Sequence, residues 1–137
     1  MAKLKIFLSF KFTGENKEEL EKTTQKIGQS LVRAGLEYFC GFEREAFFKK
    51  NNFTGKQLLE YTLKQLDVCD CVLAFIKSEE KSEGMLLEVG FGLAKNKKII
   101  LAIKKGIKTG FLHGIADQII EFENLDELYA KLGGLKC

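Results

Sequence analysis

The chain has 137 residues, of which 45% are apolar, and this length and composition suit one domain with one hydrophobic core, spanning residues 1–137. Its 22 basic and 19 acidic residues leave a net charge of +3, which is too balanced to favour nucleic acid as a partner. No run of about 18 apolar residues is present, so no membrane span is expected. The first apolar run is short and strand-like rather than typical of a signal peptide, which favours a reducing cytoplasm.

Apolar runs alternate with segments of helical periodicity along the chain. In chain order these patterns predict a strand at 5–10, a helix at 15–34, a strand at 37–42, a helix at 54–66, a strand at 71–76, a helix at 84–96, a strand at 98–103, a strand at 118–122 and a helix at 125–132. Residues 43–52 have no clean period and are expected to form a loop or a partial helix. Residues 106–114 are expected to form a glycine-containing loop.

Strands that alternate with helices and are apolar along their whole length indicate a parallel sheet with helices on both faces. Five such strands with right-handed crossovers predict a single flavodoxin-like, or Rossmann-like, α/β domain with the strand order 2-1-3-4-5. The loops at 9–14 and 77–84 would then flank one cleft, because they follow the two strands at which the strand order reverses. We expect Glu88 to reach into that cleft.

Glu88 falls in the helix predicted just beyond the carboxyl end of the third strand, which is the edge where open α/β sheets bind ligands. Gly90 and Gly92 would let this helix approach the sheet or a ligand closely. Glu88 is therefore a candidate nucleophile or acceptor for a sugar hydroxyl. The alternative is a structural role, since a carboxylate in a first helical turn also interacts favourably with the helix dipole.

Two further polar positions border the predicted cleft. The Ser82 hydroxyl could cap the helix or hold a sugar or phosphate oxygen at its start, and Gly84 would allow close backbone approach in either case. The loop that follows the first strand lacks the patterns of a P-loop and of a dinucleotide fingerprint. Ser9 and Lys11 in this loop could contact an anionic or ribosyl group.

The cysteines and the single histidine do not form a metal-binding pattern. Cys69 and Cys71 lack a second pair at zinc spacing, and one histidine cannot complete a ligand cluster, so we expect no metal and no cofactor. Cys71 lies in an apolar strand and is expected to pack as a small hydrophobic residue. His113 is expected to be a surface residue of a loop.

The segments CDCVLAFI at 69–76, SEGMLLEVGFGLA at 82–94 and KKIIL at 97–101 resemble the nucleoside 2-deoxyribosyltransferase family, which includes the 2′-deoxynucleoside 5′-monophosphate N-glycosidases. The resemblance implies a small-molecule nucleoside or nucleotide as substrate. It implies Glu88 as the nucleophile at the anomeric carbon, and a glycosyl-enzyme intermediate that a second base or water resolves with retention. Ser82 would bind the sugar or phosphate side of the substrate.

The chain departs from the family pattern at three places. The tyrosine of the first strand, which orients the nucleophile, is replaced by Phe7, and a family aspartate, a candidate general acid or hydroxyl ligand, is replaced by Thr62. The resemblance implies that both positions contact the substrate. The phosphate loop of the family corresponds to residues 10–13 here. These departures leave open a slow enzyme, an altered substrate, or a non-catalytic nucleotide-binding module.

A second resemblance leads to a related chemistry. The segment FLSFK at 7–11 and the spacing between Ser82 and Glu88 are also similar to TIR domains, some of which cleave the nicotinamide–ribose bond of NAD with a glutamate on this helix. The segment EVGFGLA at 88–94 fits the deoxyribosyltransferase family better. Both resemblances imply an N-glycosidic bond as the target of Glu88.

The sequence also leads us to expect that the chain forms an oligomer. The helix glycines and the phenylalanine-rich segment at 39–53 suggest an apolar surface that a partner would cover. Members of the resembled family build active sites across subunit contacts, which implies a homodimer or a larger homo-oligomer.

Overall fold

A computed structural model describes residues 3–137 and contains one five-stranded, all-parallel sheet in the order β2-β1-β3-β4-β5. The strands are β1 Lys5–Phe10, β2 Glu37–Cys40, β3 Cys71–Ile76, β4 Lys98–Lys104 and β5 Gln118–Phe122. The helices are α1 Lys17–Arg33, α2 Glu45–Lys50, α3 Gly55–Asp67, α4 Glu83–Ala94, α5 Phe111–Ile115 and α6 Leu125–Gly133. The expected flavodoxin-like α/β fold and strand order are confirmed.

Successive side chains of each strand point to opposite faces of the sheet, and the strands are apolar at both kinds of position. Both faces of the sheet are therefore apolar, and helices cover each of them. The apolar cluster on one face includes Ile27 of α1 and Leu128 of α6. The cluster on the other face includes Leu66 of α3, Val89 of α4 and Leu112 of α5. The helix α4, which carries the candidate nucleophile, therefore packs on the same face as α3 and α5.

The helices α1, α3, α4 and α6 begin after residues whose side chains accept free backbone N–H groups. The Thr54 hydroxyl accepts the backbone N–H of Gln57 at 3.1 Å, while the Gln57 side chain accepts the backbone N–H of Thr54 at 2.9 Å. The Asn124 side chain accepts the backbone N–H of Glu127 at 2.9 Å. These reciprocal and single caps explain why the starts of α3 and α6 agree with the sequence prediction.

The register of the central strands brings the two predicted loops together. Strand β1 pairs with β3 from Ile6 opposite Cys71 to Phe10 opposite Phe75, so both strands end at the same level of one sheet edge. The connections that follow β1 and β3 are therefore neighbours.

Two segments differ from the sequence prediction. Strand β2 ends at Cys40 instead of residue 42, and a 3-10 turn at Gly41–Arg44 and the helix α2 follow it. Neither short helix buries a residue, so the sequence shows no apolar period there. The predicted loop at 106–114 contains most of α5, and His113 belongs to that helix and is partly buried.

The prediction for Cys71 was incomplete. Its side chain is buried in the apolar cluster, as expected, but its sulfur also forms a disulfide with Cys137, 66 positions further along the chain. Cys40 and Cys69 are free and buried. None of the helices within residues 3–137 has both the length and the apolar character needed to cross a membrane.

Candidate active site

The start of α4 is fixed by a serine cap and by one close contact with the sheet. The Ser82 hydroxyl accepts the backbone N–H of Met85 at 3.2 Å, which confirms the capping role that the sequence suggested. A methyl group at Gly92 would lie 2.8 Å from Cγ2 of Val72, so glycine is required for α4 to lie this close to β3. No such neighbour surrounds Gly84 or Gly90.

Glu88 and Ser9 meet at the carboxyl end of β1. The Ser9 hydroxyl donates to Oε1 of Glu88 at 2.6 Å, and Ser9 is only 1% exposed. Burial raises the pKa of Glu88 from 4.5 to about 7, and the hydrogen bond from Ser9 offsets part of that rise. The site thus holds a carboxyl group that can exist in both protonation states near neutral pH, with one oxygen oriented by a buried hydroxyl.

Phe7 and Thr62 are both buried. Phe7 is 2% exposed and stacks on Phe39 with a ring-centroid distance of 5.5 Å. The Thr62 hydroxyl donates to the backbone carbonyl of Leu59 at 3.0 Å. Substrate contact by Phe7 and Thr62, which the family resemblance implied, stays a prediction.

A cleft of about 390 Å³ opens at the carboxyl edge of the sheet. The connection after β1 contributes Lys11 and the connection after β3 contributes Ser82, so these two candidate residues share one cleft. The remaining lining residues come from the β1–α1 connection and α1, from the end of β3, from the connection between β3 and α4, from α4, from the connection between β4 and α5, and from α5: Glu15, Leu20, Phe75, Ile76, Lys77, Ser78, Glu79, Glu80, Lys81, Met85, Leu86, Lys108, Thr109, Phe111 and Leu112.

Glu88 lies on a helix that borders this cleft, and its reach into the cleft stays a prediction. Neither Glu88 nor Ser9 lines the cleft, whereas Leu86 does. Met85 also lines the cleft, and positions three apart on an α-helix lie about 60° from each other, so Met85 and Glu88 share one face of α4. The partly buried Glu88 carboxyl group therefore lies beside the cleft.

Ion pairs order the side of the cleft that is formed by the β1–α1 connection. Lys11 lies 3.4 Å from Glu15 and 3.0 Å from Glu80, and Lys77 lies 2.8 Å from Glu15. The hydrogen bond from Lys77 lowers the pKa of Glu15, and the hydrogen bond to Glu80 raises the pKa of Lys11. Glu15 and Glu80 thus pair with two of the four lysines that line the cleft.

Sequence reasoning missed the contact between Thr109 and His113. Oγ1 of Thr109 lies 2.6 Å from Nδ1 of His113, and it also accepts the backbone N–H of His113 at 3.2 Å. The spacing of four residues was visible in the sequence, but the helix that brings the two side chains together was not predicted. Within residues 3–137, no three His, Cys, Asp or Glu side chains converge as metal ligands would.

Comparison with known proteins shows which family the chain matches. The family model for nucleoside 2-deoxyribosyltransferase matches residues 9–123. The structure is similar to that of a CMP N-glycosidase, BcmB, from Clostridium botulinum, with 23% identity, a TM-score of 0.68 and coverage of 93% of this chain and 96% of that one. It is also similar to a 2-deoxyribosyltransferase from Bacillus psychrosaccharolyticus, with 18% identity, a TM-score of 0.65 and coverage of 93% and 95%.

A conserved protein from Enterococcus faecalis shares the fold as well, with 12% identity, a TM-score of 0.73 and coverage of 96% of this chain and 98% of that one. At these identities the solved structures establish the fold alone. No curated protein sequence matches the chain significantly.

Proposed function

Because the chain belongs to the nucleoside 2-deoxyribosyltransferase family, we propose that it cleaves or transfers at the N-glycosidic bond of a nucleoside or nucleotide, with Glu88 as the nucleophile. The observation that carries this proposal is the 2.6 Å hydrogen bond from the Ser9 hydroxyl to the Glu88 carboxyl group. It leaves Oε2 of Glu88 as the oxygen available for attack.

The reaction would proceed by two displacements. Oε2 of Glu88 forms a bond to the anomeric carbon, and the bond from that carbon to the base breaks with its electron pair leaving on the base nitrogen, which takes up a proton. Water or a second base then attacks the anomeric carbon and gives up a proton, and the ester bond to Glu88 breaks. Two inversions return the configuration of the starting nucleoside.

Ser9 acts as a positioning residue in this proposal. The family tyrosine that orients the nucleophile is Phe7 here, so its hydroxyl is missing. Residues 7 and 9 of β1 point to the same face of the sheet, because side chains of a strand alternate. The Ser9 hydroxyl therefore supplies a hydrogen-bond donor close to the position where the family has one, and a short bond of this kind stabilises the ionised carboxylate.

Ser82 and Lys11 would contact the sugar or phosphate side of the substrate, and Gly84 would leave room for it beside the start of α4. Ser82 keeps its hydroxyl proton for a ligand, because its cap bond uses an oxygen lone pair. A bound substrate would have to extend from Lys11 and Ser82, which line the cleft, to Glu88, which lies beside it.

We further propose that a second copy of the chain covers α4. This helix exposes Leu86, Leu87 and Leu93 by 46%, 55% and 46%, so it is apolar on its outer side as well as its buried side. A contact there would border the Glu88 site. Sedimentation at micromolar concentration should show a dimer or a larger assembly, and a monomer would contradict this part of the proposal.

The test of function is release of free base from a panel of nucleosides, nucleotides and NAD, measured by chromatography. We expect the parent protein to release base from at least one compound. We expect Glu88→Gln to lose at least about 10³-fold in rate, as removal of a nucleophile does. Glu83→Gln is the matched control, because Glu83 is an exposed carboxylate of the same helix, and it should retain the parent's rate.

Two outcomes would contradict the proposed chemistry. Thermal stabilisation by one of these compounds without base release would indicate the nucleotide-binding module. Equal rates of base release by the parent and a folded Glu88→Gln variant would show that Glu88 is not the nucleophile.

A further inference from the structure

The connection between β3 and α4, which we call the 77–82 loop, lines the cleft but is weakly attached to the rest of the protein. None of its side chains is buried. Within residues 3–137, the backbone groups of residues 78–81 form no hydrogen bond with another segment. Two ion pairs join the loop to the β1–α1 connection, Lys77 with Glu15 at 2.8 Å and Glu80 with Lys11 at 3.0 Å. The position of the loop therefore depends on these two pairs.

The ammonium group of Lys11 is surrounded by oxygen acceptors. The carbonyl oxygen of Thr13 lies 2.7 Å from Nζ, the Glu80 carboxylate 3.0 Å and the Glu15 carboxylate 3.4 Å. An ammonium group has three N–H donors, so three oxygens match its capacity. Thr13 and Glu15 belong to the same connection as Lys11, whereas Glu80 reaches it from the 77–82 loop. A ligand that binds Lys11 must therefore take the place of Glu80.

The two ion pairs differ in their exposure to water. The side chains of Glu15 and Lys77 are 14% and 42% exposed, whereas Glu80 is 74% exposed where it meets Lys11. Screening by water weakens the more exposed pair. The loop is also fixed at its far end, because Ser82 caps α4. Its attachment through Glu80 is thus the one that breaks most easily.

We propose that Glu80 is an autoinhibitory residue of the cleft. In the ligand-free protein its carboxylate occupies Lys11 and holds the 77–82 loop against the β1–α1 connection. A ligand displaces Glu80 from Lys11, and the loop is released between its fixed ends at Lys77 and Ser82. That this ligand is the substrate rests on the proposed function, which assigns Lys11 to substrate contact, whereas the masking of Lys11 by Glu80 does not.

The first test measures the masking of Lys11 in the full chain without a ligand. The protein is treated with an acetylating reagent at about pH 8.5, and peptide mass spectrometry follows the labelling of Lys11 relative to Lys98, an exposed lysine at the opposite edge of the sheet. Glu80→Gln should label Lys11 about 2- to 5-fold faster than the parent, as loss of an exposed ion pair predicts.

Glu83→Gln is the control for the loss of one negative charge near the cleft. Glu83 is exposed, does not line the cleft and forms no ion pair within residues 3–137. This variant should label Lys11 at the parent's rate. Circular dichroism verifies that both variants are folded.

The second test uses a compound that releases base in the panel. Because Glu80 competes with the ligand for Lys11, Glu80→Gln should lower KM about 2- to 5-fold and change kcat by less than about 2-fold. Glu83→Gln should keep both parameters of the parent.

Labelling of Lys11 at the parent's rate in Glu80→Gln would overturn the inference, because Lys11 would not be masked. A parent-like or raised KM in Glu80→Gln would overturn it as well, because Glu80 would not exclude the ligand. Base release that depends on Glu88 would stand in both cases. Failure to release base from any compound would instead contradict the proposed function, and the labelling rates would still decide whether Glu80 masks Lys11.

Discussion

Replacement of Glu88 by glutamine should increase the free energy of unfolding, and the difference from the parent should grow as the pH rises. Glutamine has nearly the same shape as glutamate, and its amide oxygen can still accept the Ser9 hydroxyl, but it cannot ionise. The variant therefore removes the cost of a partly buried negative charge and leaves the packing unchanged.

The magnitude follows from the two pKa values. The pKa of Glu88 is raised from 4.5 to about 7, mainly by burial, so the folded state holds the proton more tightly than the unfolded state. The favourable contribution of protonated Glu88 is complete below about pH 4.5 and is lost as the pH rises through about 7. At about 1.36 kcal/mol per pH unit, the full loss is at most about 3 kcal/mol, and residual contact with solvent reduces it.

Urea unfolding followed by circular dichroism measures this difference. At about pH 4.5 the free energies of unfolding of the parent and Glu88→Gln should be nearly equal, and at about pH 8.5 the variant should be more stable by about 1–3 kcal/mol. The control Glu83→Gln should stay within about 0.5 kcal/mol of the parent at both values. A Glu88→Gln difference that does not change with pH would refute the claim that Glu88 is a partly buried carboxyl group with a raised pKa.

Three further predictions concern rate and packing. If Glu88 must be ionised to attack, kcat/KM should rise with pH with a midpoint near 7, and a profile that is flat between pH 5 and 8 would count against it. Ser9→Ala should lower kcat/KM and move that midpoint to higher pH, because the Ser9 hydrogen bond lowers the pKa of Glu88, while Ser9→Thr should preserve both. Gly92→Ala should cost about 1–3 kcal/mol in urea unfolding because of the 2.8 Å contact with Val72, whereas Gly90→Ala should stabilise by about 0.5–1 kcal/mol; equal effects would contradict the packing of α4.

Much of the fold could be predicted because the strands are apolar throughout and separated by helical periods. The bounds predicted for β1, β3 and β5 agree with the structure, and the alternation of elements was enough to predict the strand order. The segment at 43–52, predicted as a loop or a partial helix, contains α2. The helix that the prediction missed, α5, is five residues long, which is too short to display a period of 3.6 residues.

The candidate site could be predicted only in part. Glu88, Ser82 and Lys11 stand out from their places at the carboxyl ends of strands. The partnership of Glu88 with Ser9 joins residues 79 positions apart, and it depends on how α4 rotates against β1, which helical spacing alone does not fix. The disulfide between Cys71 and Cys137 is likewise a contact between distant segments, and no local pattern signals it.

The most direct test of Glu88 as the nucleophile is to trap the glycosyl-enzyme intermediate. A compound that releases base in the panel is mixed with the protein, the reaction is stopped by acid, and peptide mass spectrometry locates the added glycosyl group. We predict that the added mass lies on the peptide containing Glu88 and is absent from Glu88→Ala. A glycosyl group on another residue, or base release at the parent's rate by a folded Glu88→Ala variant, would contradict the assignment of Glu88.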